Sequence, residues 1–407
     1  MPIYTYEHAL SYLFSLEKKG ITLSIESTQE ALTYFKNPHQ KFKSILVAGT
    51  NGKGSTVAML TSILVQAGYK VGTYISPHLL DVRERIQLNQ KMISKKELIY
   101  FINDTNRMLA FTSIKLSFFE LMTVIAFRYF EREKVDFAVV EVGLGGRLDS
   151  TNVLSPLASV ITSIDFDHQR LLGNTLTKIA LEKAGIIKPK TPLVTAVAQK
   201  KIQKLFQKIC HQKQSPIYIL GKDFLSDPTL SLSLPGKYHQ QKNAACVLEV
   251  IRLLQKKWEV SKEAIQKGLL KTVWPGRLEV VQKKPKVLLD GAHNPAGVRV
   301  LLRALKTDFQ YDKLHVVFGV MADKNYQKMF RMLLPHADSF YFVEPPIKRA
   351  LQKPLLLETM PELKHKIEFC SEIPGALSSV ISKAGRNDLV CVTGSLYTVS
   401  EAKKYFL

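Results

Sequence analysis

The chain is poor in cysteine and poor in acid. Its four cysteines, Cys210, Cys246, Cys370 and Cys391, are widely separated and form no C-x-x-C pair. That spacing excludes a zinc or disulfide framework and suits reduced structural thiols. Asp and Glu total 35 against 57 Lys and Arg, which leaves a formal charge of +22. No apolar run approaches the ~20 residues that a membrane-spanning helix requires. The opening residues, Met1-Pro2-Ile3-Tyr4-Thr5-Tyr6-Glu7, lack the basic start and apolar centre of a secretory leader. A cytoplasmic protein without a membrane partner is the expectation. Internal repeats and low-complexity tracts are also missing.

The positive charge admits two readings. It could mark a nucleic-acid binder. It could also come from lysine-rich solvated faces and a taste for anionic substrates. The lysine pairs are scattered: Lys18-Lys19, Lys95-Lys96, Lys200-Lys201, Lys256-Lys257, Lys283-Lys284 and Lys403-Lys404. No basic strand is interleaved with aromatics, so the nucleic-acid reading is the weaker one.

What is present points to two α/β domains. A length of 407 residues with 46% hydrophobic content suits two packed cores. The stretch 44–68 organises the rest. Ser44-Ile45-Leu46-Val47-Ala48 is a short apolar strand, and Gly49-Thr50-Asn51-Gly52-Lys53-Gly54-Ser55 follows at once. Val57, Leu60, Leu64 and Ala67 then recur at helical spacing, with Gly68 as the stop. A strand, a glycine turn and a helix are the setting of a phosphate-binding loop, in which backbone N–H groups and a helix N-terminus face one anion. The general pattern would put glycine at 47 and a hydroxyl at 54, where Val47 and Gly54 stand. Taken by itself, the turn could join any strand to any helix.

Further strands are expected at 70–75, 135–140, 158–164 and 193–197, with helices over 5–35, 95–110, 118–133 and 175–188. A short strand is expected at 228–234, then helices at 243–256 and 261–270. Alternating strands and helices predict a doubly wound, mostly parallel sheet with ligands at the carboxyl ends of its strands. Lys53 and Ser55, Ser76, Glu141 and His168 all fall at such ends. Trp274-Pro275-Gly276-Arg277 reads as a domain boundary. It divides the chain into 1–274 and 275–407. The second α/β unit has strands at 287–289, 314–318, 339–343, 367–369 and 389–392, and helices near 296–307, 325–334 and 373–385.

These motifs resemble the folylpolyglutamate and dihydrofolate synthases, a branch of the Mur ligases. The segments that carry the resemblance are Ala48 to Ser55, Ser76-Pro77-His78-Leu79, Arg83-Glu84-Arg85-Ile86 and Glu141-Val142-Gly143-Leu144-Gly145-Gly146-Arg147-Leu148-Asp149. Asp167-His168, Glu182-Lys183-Ala184-Gly185, Pro275-Gly276-Arg277, Asp290-Gly291-Ala292-His293-Asn294-Pro295 and Thr393-Gly394-Ser395 follow in family order. The resemblance implies a P-loop domain and a smaller C-terminal Rossmann-like domain. It implies an ATP-dependent ligase that joins L-glutamate to a pterin or folate carboxylate through an acyl phosphate. Dihydropteroate and reduced folates would be the acids, Mg2+ the metal, with K+ allowed, and the enzyme a monomer.

Residue by residue, the resemblance gives Gly52, Lys53, Gly54 and Ser55 the ATP phosphates. It gives Asn243, Arg277 and Asp290 the rest of the nucleotide. Ser55, Ser76, Glu141 and His168 would hold the metal. Lys183 would be carbamylated. His293 and Ser395 would serve the glutamate side. Ser117, Phe118, Phe119, Glu120, Leu148, Asp149 and Ser150 would meet the pterin acid. Taken alone, His168 reads as a loop histidine, Lys183 as a solvent-facing lysine and the paired phenylalanines as core. One departure stands out. The family commonly has Leu-Gly-Leu-Glu-Arg before the glycine turn, and here the chain reads Leu23-Ser24-Ile25-Glu26-Ser27. Folylpolyglutamate synthesis alone is therefore the alternative to both activities. A nucleic-acid-stimulated ATPase is the alternative from another class.

Overall fold

The computed structural model describes residues 3–17, 24–234 and 236–407. These residues form two compact units. The first comprises 1–165, 169–233 and 241–272, and the second 166–168, 234–240 and 273–407.

The first unit is built on eight strands: β1 Lys43–Ala48, β2 Val71–Tyr74, β3 Ile86–Leu88, β4 Lys91–Met92, β5 Phe137–Glu141, β6 Ala158–Ile161, β7 Leu193–Thr195 and β8 Ile217–Ile219. Their order in the sheet is β4-β3-β2-β5-β1-β6-β7-β8. The pairings among β2, β5, β1, β6, β7 and β8 are parallel, and β3 and β4 add an antiparallel edge. β1 is buried at every residue but Lys43. A strand covered on both faces needs no polar alternation, which explains its continuous apolar sequence. The chain leaves β1 toward β2 on one side and leaves the neighbouring β6 toward β7 on the other. That divergence opens a crevice at the carboxyl ends of β1 and β6, where such sheets bind ligands.

The helix Lys53–Gln66 leaves the glycine turn and is buried over ten consecutive residues, Ser55 to Leu64. It is covered on both sides because a second helix, Lys262–Lys271, lies against it. A Cβ on Gly268 would sit 2.5 Å from Cα of Ile63, so only hydrogen fits between the two backbones. The Ser62 hydroxyl donates to the Gly268 carbonyl at 2.7 Å and fixes the register of the contact.

The second unit has β9 Glu279–Lys283, β10 Lys286–Leu289, β11 Leu314–Phe318, β12 Ser339–Val343, β13 Glu368–Cys370 and β14 Leu389–Thr393. The order is β13-β12-β11-β14-β10-β9, parallel except for the hairpin β9/β10. Phe318, Phe330, Phe340 and Phe342 stack into its core with ring centroids 4.9–6.1 Å apart.

Several expectations are corrected. No strand forms over 228–234. Asp227 instead accepts from the Thr229 amide and hydroxyl, and Ser233 donates to the Leu269 and Thr272 carbonyls, so polar side chains shape an irregular loop. The helix expected over 175–188 is Leu176–Ala184. Gly185 ends it, and Pro189 could not have continued it. The helix expected over 5–35 is two helices, Tyr6–Glu17 and Glu26–Tyr34. Leu23 of the departing segment lies outside the described residues. Strands β3, β4, β8 and β9 and the helices Lys200–Gln212, Lys353–Thr359 and Leu396–Tyr405 are additions to the expected elements.

Candidate active site

The glycine turn has the backbone that its sequence demands. Gly52 sits at φ +87°, a left-handed conformation that L side chains avoid. A Cβ there would also lie 2.6 Å from Oδ1 of Asn243, so the Asn243 amide packs directly on the turn. The turn is pinned to the end of β6. The Thr50 amide donates to the Ser163 carbonyl, the Asn51 amide to the Ser163 hydroxyl, and the Thr162 hydroxyl to the Asn51 carbonyl. Such fixing holds backbone donors in place before any anion arrives.

Lys53 and Ser55 occupy the first turn of the helix. The Lys53 ammonium stands 3.8 Å from Oε1 of Glu141, the last residue of β5. The other oxygen, Oε2, accepts from the Ser76 amide at 3.2 Å. Glu141 is 4% exposed, so its carboxylate needs this company. Lys53, Ser76 and Glu141 are thus brought together as the strand ends predicted, with Ser55 buried in the same first helical turn. A carboxylate and two serines form an oxygen donor set, which fits a hard divalent cation. Among the described residues no three His, Cys, Asp or Glu side chains gather as a ready metal cluster. A phosphate oxygen would have to complete the set.

The loop after β2 carries a neutral histidine. Arg85 Nε donates to Nδ1 of His78 at 2.9 Å, and the Arg85 guanidinium lies 4.8 Å from the Phe118 ring centre. Burial, helped by the Arg85 charge and opposed by Asp81, brings the His78 pKa down to about 3.

The helix Phe118–Arg132 begins with a capping box in which Ser117 and Glu120 satisfy each other's amides. Glu120 is 2% exposed, and its Oε1 has no hydrogen-bond partner. Phe118 is buried, as a core phenylalanine would be, while Phe119 is half-buried. The Phe119 ring packs 5.8 Å from that of Tyr74 and lies flat against Gly143. Asp149 is used locally. It accepts from the Leu144 amide and from the Thr151 amide and hydroxyl, which closes the glycine-rich loop 143–149 on itself. Burial raises its pKa, against the pull of those donors. Leu148 is half-buried and Ser150 is buried. Lys183 is 5% exposed, which overturns the solvent-facing reading of that lysine. A Cβ on Gly146 would lie 3.0 Å from its Cα, so the glycine loop rests on the helix that carries it.

In the second unit, Asp290 ends the region of β10 and accepts from the Leu278 and Ala292 amides. Burial raises its pKa, and the Arg277 charge opposes that rise. A Cβ on Gly291 would sit 2.5 Å from Nη1 of Arg277, so the guanidinium lies across the glycine. His293 Nδ1 meets the Gly291 carbonyl at 2.9 Å, and its Nε2 is 3.3 Å from Oδ2 of Asp167. Ser395 is buried and caps its helix by accepting from the Thr398 amide at 3.0 Å.

His168 belongs to this unit together with Asp167. Sequence reasoning missed the residue that holds them. The Lys324 ammonium is 2.5 Å from Oδ1 of Asp167 and 3.4 Å from Nε2 of His168. Asn294 Nδ2 donates to Oδ2 of Asp167 at 3.0 Å. Burial would push the Asp167 pKa up, but the His293 hydrogen bond and the charges of His293, Lys324 and His168 hold it far below the usual carboxylate range. The only sequence signal for Lys324 was its place just after a strand end, in Ala322-Asp323-Lys324.

The sequence matches the family descriptions "Mur ligase middle domain" over residues 47–226 and "Mur ligase, glutamate ligase domain" over 276–396. A dihydrofolate synthase/folylpolyglutamate synthase of Bacillus subtilis is 37% identical, over 98% of this chain and 98% of its own length. The crystal structure of a folylpolyglutamate synthase from Thermotoga maritima superposes with a TM-score of 0.85 at 33% identity, covering 98% of this chain and 96% of that one. A bifunctional folylpolyglutamate synthase/dihydrofolate synthase from Yersinia pestis, crystallised with AMPPNP and a Mn ion, has a TM-score of 0.88 at 28% identity, with 98% of each chain covered. The chain belongs to the dihydrofolate synthase/folylpolyglutamate synthase family of Mur ligases.

Proposed function

We propose that this chain uses ATP to join L-glutamate to the carboxylate of a pterin or folate acid, as both a dihydrofolate synthase and a folylpolyglutamate synthase. A carboxylate is a poor electrophile until one of its oxygens becomes a leaving group. One carboxylate oxygen attacks the γ-phosphorus, the bond to the β,γ-bridging oxygen breaks, and ADP departs. The glutamate amine, freed of its extra proton, then attacks the acyl carbon, and inorganic phosphate leaves with the oxygen. Two anions must be held close together, which calls for fixed positive groups and aimed N–H donors.

The observation that carries this reading is the Lys53–Glu141 pair at a glycine turn on which Asn243 rests. Gly52, Lys53, Gly54 and Ser55 would hold the phosphates. Ser55, Ser76 and Glu141, with His168, would hold Mg2+, which would offset the negative charge of the phosphates. Arg277 and Asp290 would complete the nucleotide contacts, and His293 and Ser395 would serve glutamate. Phe119, with Phe118, Ser117, Glu120, Leu148, Asp149 and Ser150 around it, would receive the flat heterocycle. Buried Lys183, as a carbamate, would offer an anion to the metal region. A monomer working in the cytoplasm without nucleic acid fits this chemistry.

The test is a panel of dihydropteroate and tetrahydrofolate, each with ATP and labelled glutamate. ADP release that requires both the acid and glutamate supports the reading, and the pair of acids decides between two activities and one. ATP turnover that ignores glutamate and rises with single-stranded DNA would sink it.

A further inference from the structure

The edge of the first sheet opposite the glycine turn carries a separate basic cluster. β6, β7 and β8 run parallel to β1, so the segments that enter them meet at their amino ends. Asn152 lies on the segment entering β6, Lys188 on that entering β7 and Lys213 on that entering β8. Hydrogen bonds tie the three segments together. Lys188 Nζ donates to the Asn152 carbonyl at 2.6 Å. Lys213 Nζ donates to the carbonyl of Ile187, the residue before Lys188. The Ser215 hydroxyl donates to the Lys188 carbonyl at 2.6 Å, and the Lys190 amide to the Lys213 carbonyl at 3.1 Å.

No acid balances these two lysines. The chain holds no Asp or Glu between Glu182 and Asp223. Among the described residues, neither Lys188 nor Lys213 pairs with a carboxylate. Both side chains are half-buried. Burial lowers the Lys188 pKa, and the Lys213 charge lowers it further. Each effect favours the neutral amine, which is the nucleophilic form. An ordinary lysine keeps only about one amine in a thousand free of its extra proton at pH 7.5. Lys190, two positions on, is exposed and serves as an internal reference.

We infer that Lys188 is a nucleophilic lysine that takes an acyl group from small acyl phosphates, with the Lys213 ammonium holding the phosphate. Lys188 Nζ attacks the acyl carbon, the bond from that carbon to the phosphate oxygen breaks, and the electron pair leaves on phosphate. The proton that the nitrogen sheds passes to the departing phosphate, so the products are an amide and hydrogen phosphate. The surroundings select this class of donor. With no carboxylate at hand, nothing repels a dianion, and the neighbouring ammonium attracts it. The amide is neutral, so acylation also relieves the repulsion between the two lysines. Asn152, which holds Lys188, donates through its side chain to the Arg147 and Gly185 carbonyls. The acylated side chain would therefore border the glycine-rich loop 143–149.

The test incubates the folded full-length chain with acetyl phosphate at pH 7.5 and follows each lysine by peptide mass spectrometry. Lys188 should be acetylated roughly tenfold faster than Lys190, because the Lys213 charge both frees the amine and holds the phosphate. Lys213→Gln should remove that advantage, and Lys213→Arg, which keeps the charge, should preserve it. With p-nitrophenyl acetate, a neutral donor, the advantage should shrink, since only the free amine then counts. A Lys188 rate no greater than that of Lys190 in the wild type would overturn the inference, whatever the variants do. So would an advantage that survives Lys213→Gln or is lost equally in Lys213→Arg. An advantage equal with both donors would overturn the assignment of phosphate to Lys213.

Discussion

Gly143 and Phe119 are so closely apposed that a methyl group on the first would lie 2.5 Å from the ring of the second. The same ring packs 5.8 Å from that of Tyr74, so displacing it would disturb that contact too. If Phe119 receives the heterocycle, Gly143→Ala should raise KM for the pterin acid roughly tenfold, the equivalent of one lost ring contact. KM for ATP should not move. Steady-state kinetics with each substrate varied checks this, and parallel changes in both constants would remove Phe119 from the acid site.

Lys53→Ala should cost about a thousandfold in kcat/KM, the scale of losing a fixed cation at a developing anion. Circular dichroism should match the wild type, because Lys53 lies at the helix start and its ion pair is not part of the apolar core. Retained turnover would refute the phosphate assignment.

Arg277→Ala should raise KM for ATP by about tenfold, in line with a lost charge-assisted contact. The affinity for dihydropteroate, read by equilibrium fluorescence, should be unchanged. Unaltered ATP kinetics would take Arg277 out of the site.

His78 supplies a pH dependence with a definite sign. In the folded chain it stays neutral down to about pH 3, whereas an unfolded histidine takes up its proton near pH 6.5. Between those values the unfolded state binds the extra proton, so stability falls as pH falls. The slope from this residue is at most about 1.4 kcal/mol per pH unit. Urea melts at pH 7.5, 6 and 5 should show this loss in the wild type and a flatter limb in His78→Gln. Identical limbs would mean that the folded chain takes up the His78 proton over the same pH range as the unfolded one.

Lys183 should carry added CO2 under turnover conditions. Native mass spectrometry in bicarbonate buffer should find one CO2 on the wild type and none on Lys183→Arg. An unmodified lysine in fully active enzyme would exclude the carbamate.

The parts of this protein that could be read in advance are those in which one local rule suffices. A continuous apolar run gave β1, β5 and β11, and a glycine turn between strand and helix gave the Lys53 region. The Ser76, Glu141 and Lys53 groups followed from the rule that strand ends share an edge. The helix Lys200–Gln212 was legible and overlooked: Ile202, Leu205, Phe206, Ile209 and Cys210 recur at helical spacing among its lysines and glutamines. Strands β3, β4 and β8 are two or three residues long, too short for any period to show. Lys324 escaped for another reason. Its role comes from Asp167, a partner 157 positions away, and no local pattern announces such a contact.

The clasp between Gly268 and the helix Lys53–Gln66 has a consequence for biosynthesis. The seryl bond from Ser62 to Gly268 spans 206 positions. Contacts of such separation form late, because a long loop must close first. A ribosome that has released only as far as β8 has emitted every strand of the first sheet, yet one side of the helix Lys53–Gln66 is still bare. Expression fragments cut near residue 226 should therefore aggregate, whereas fragments that extend through residue 272 should remain dispersed.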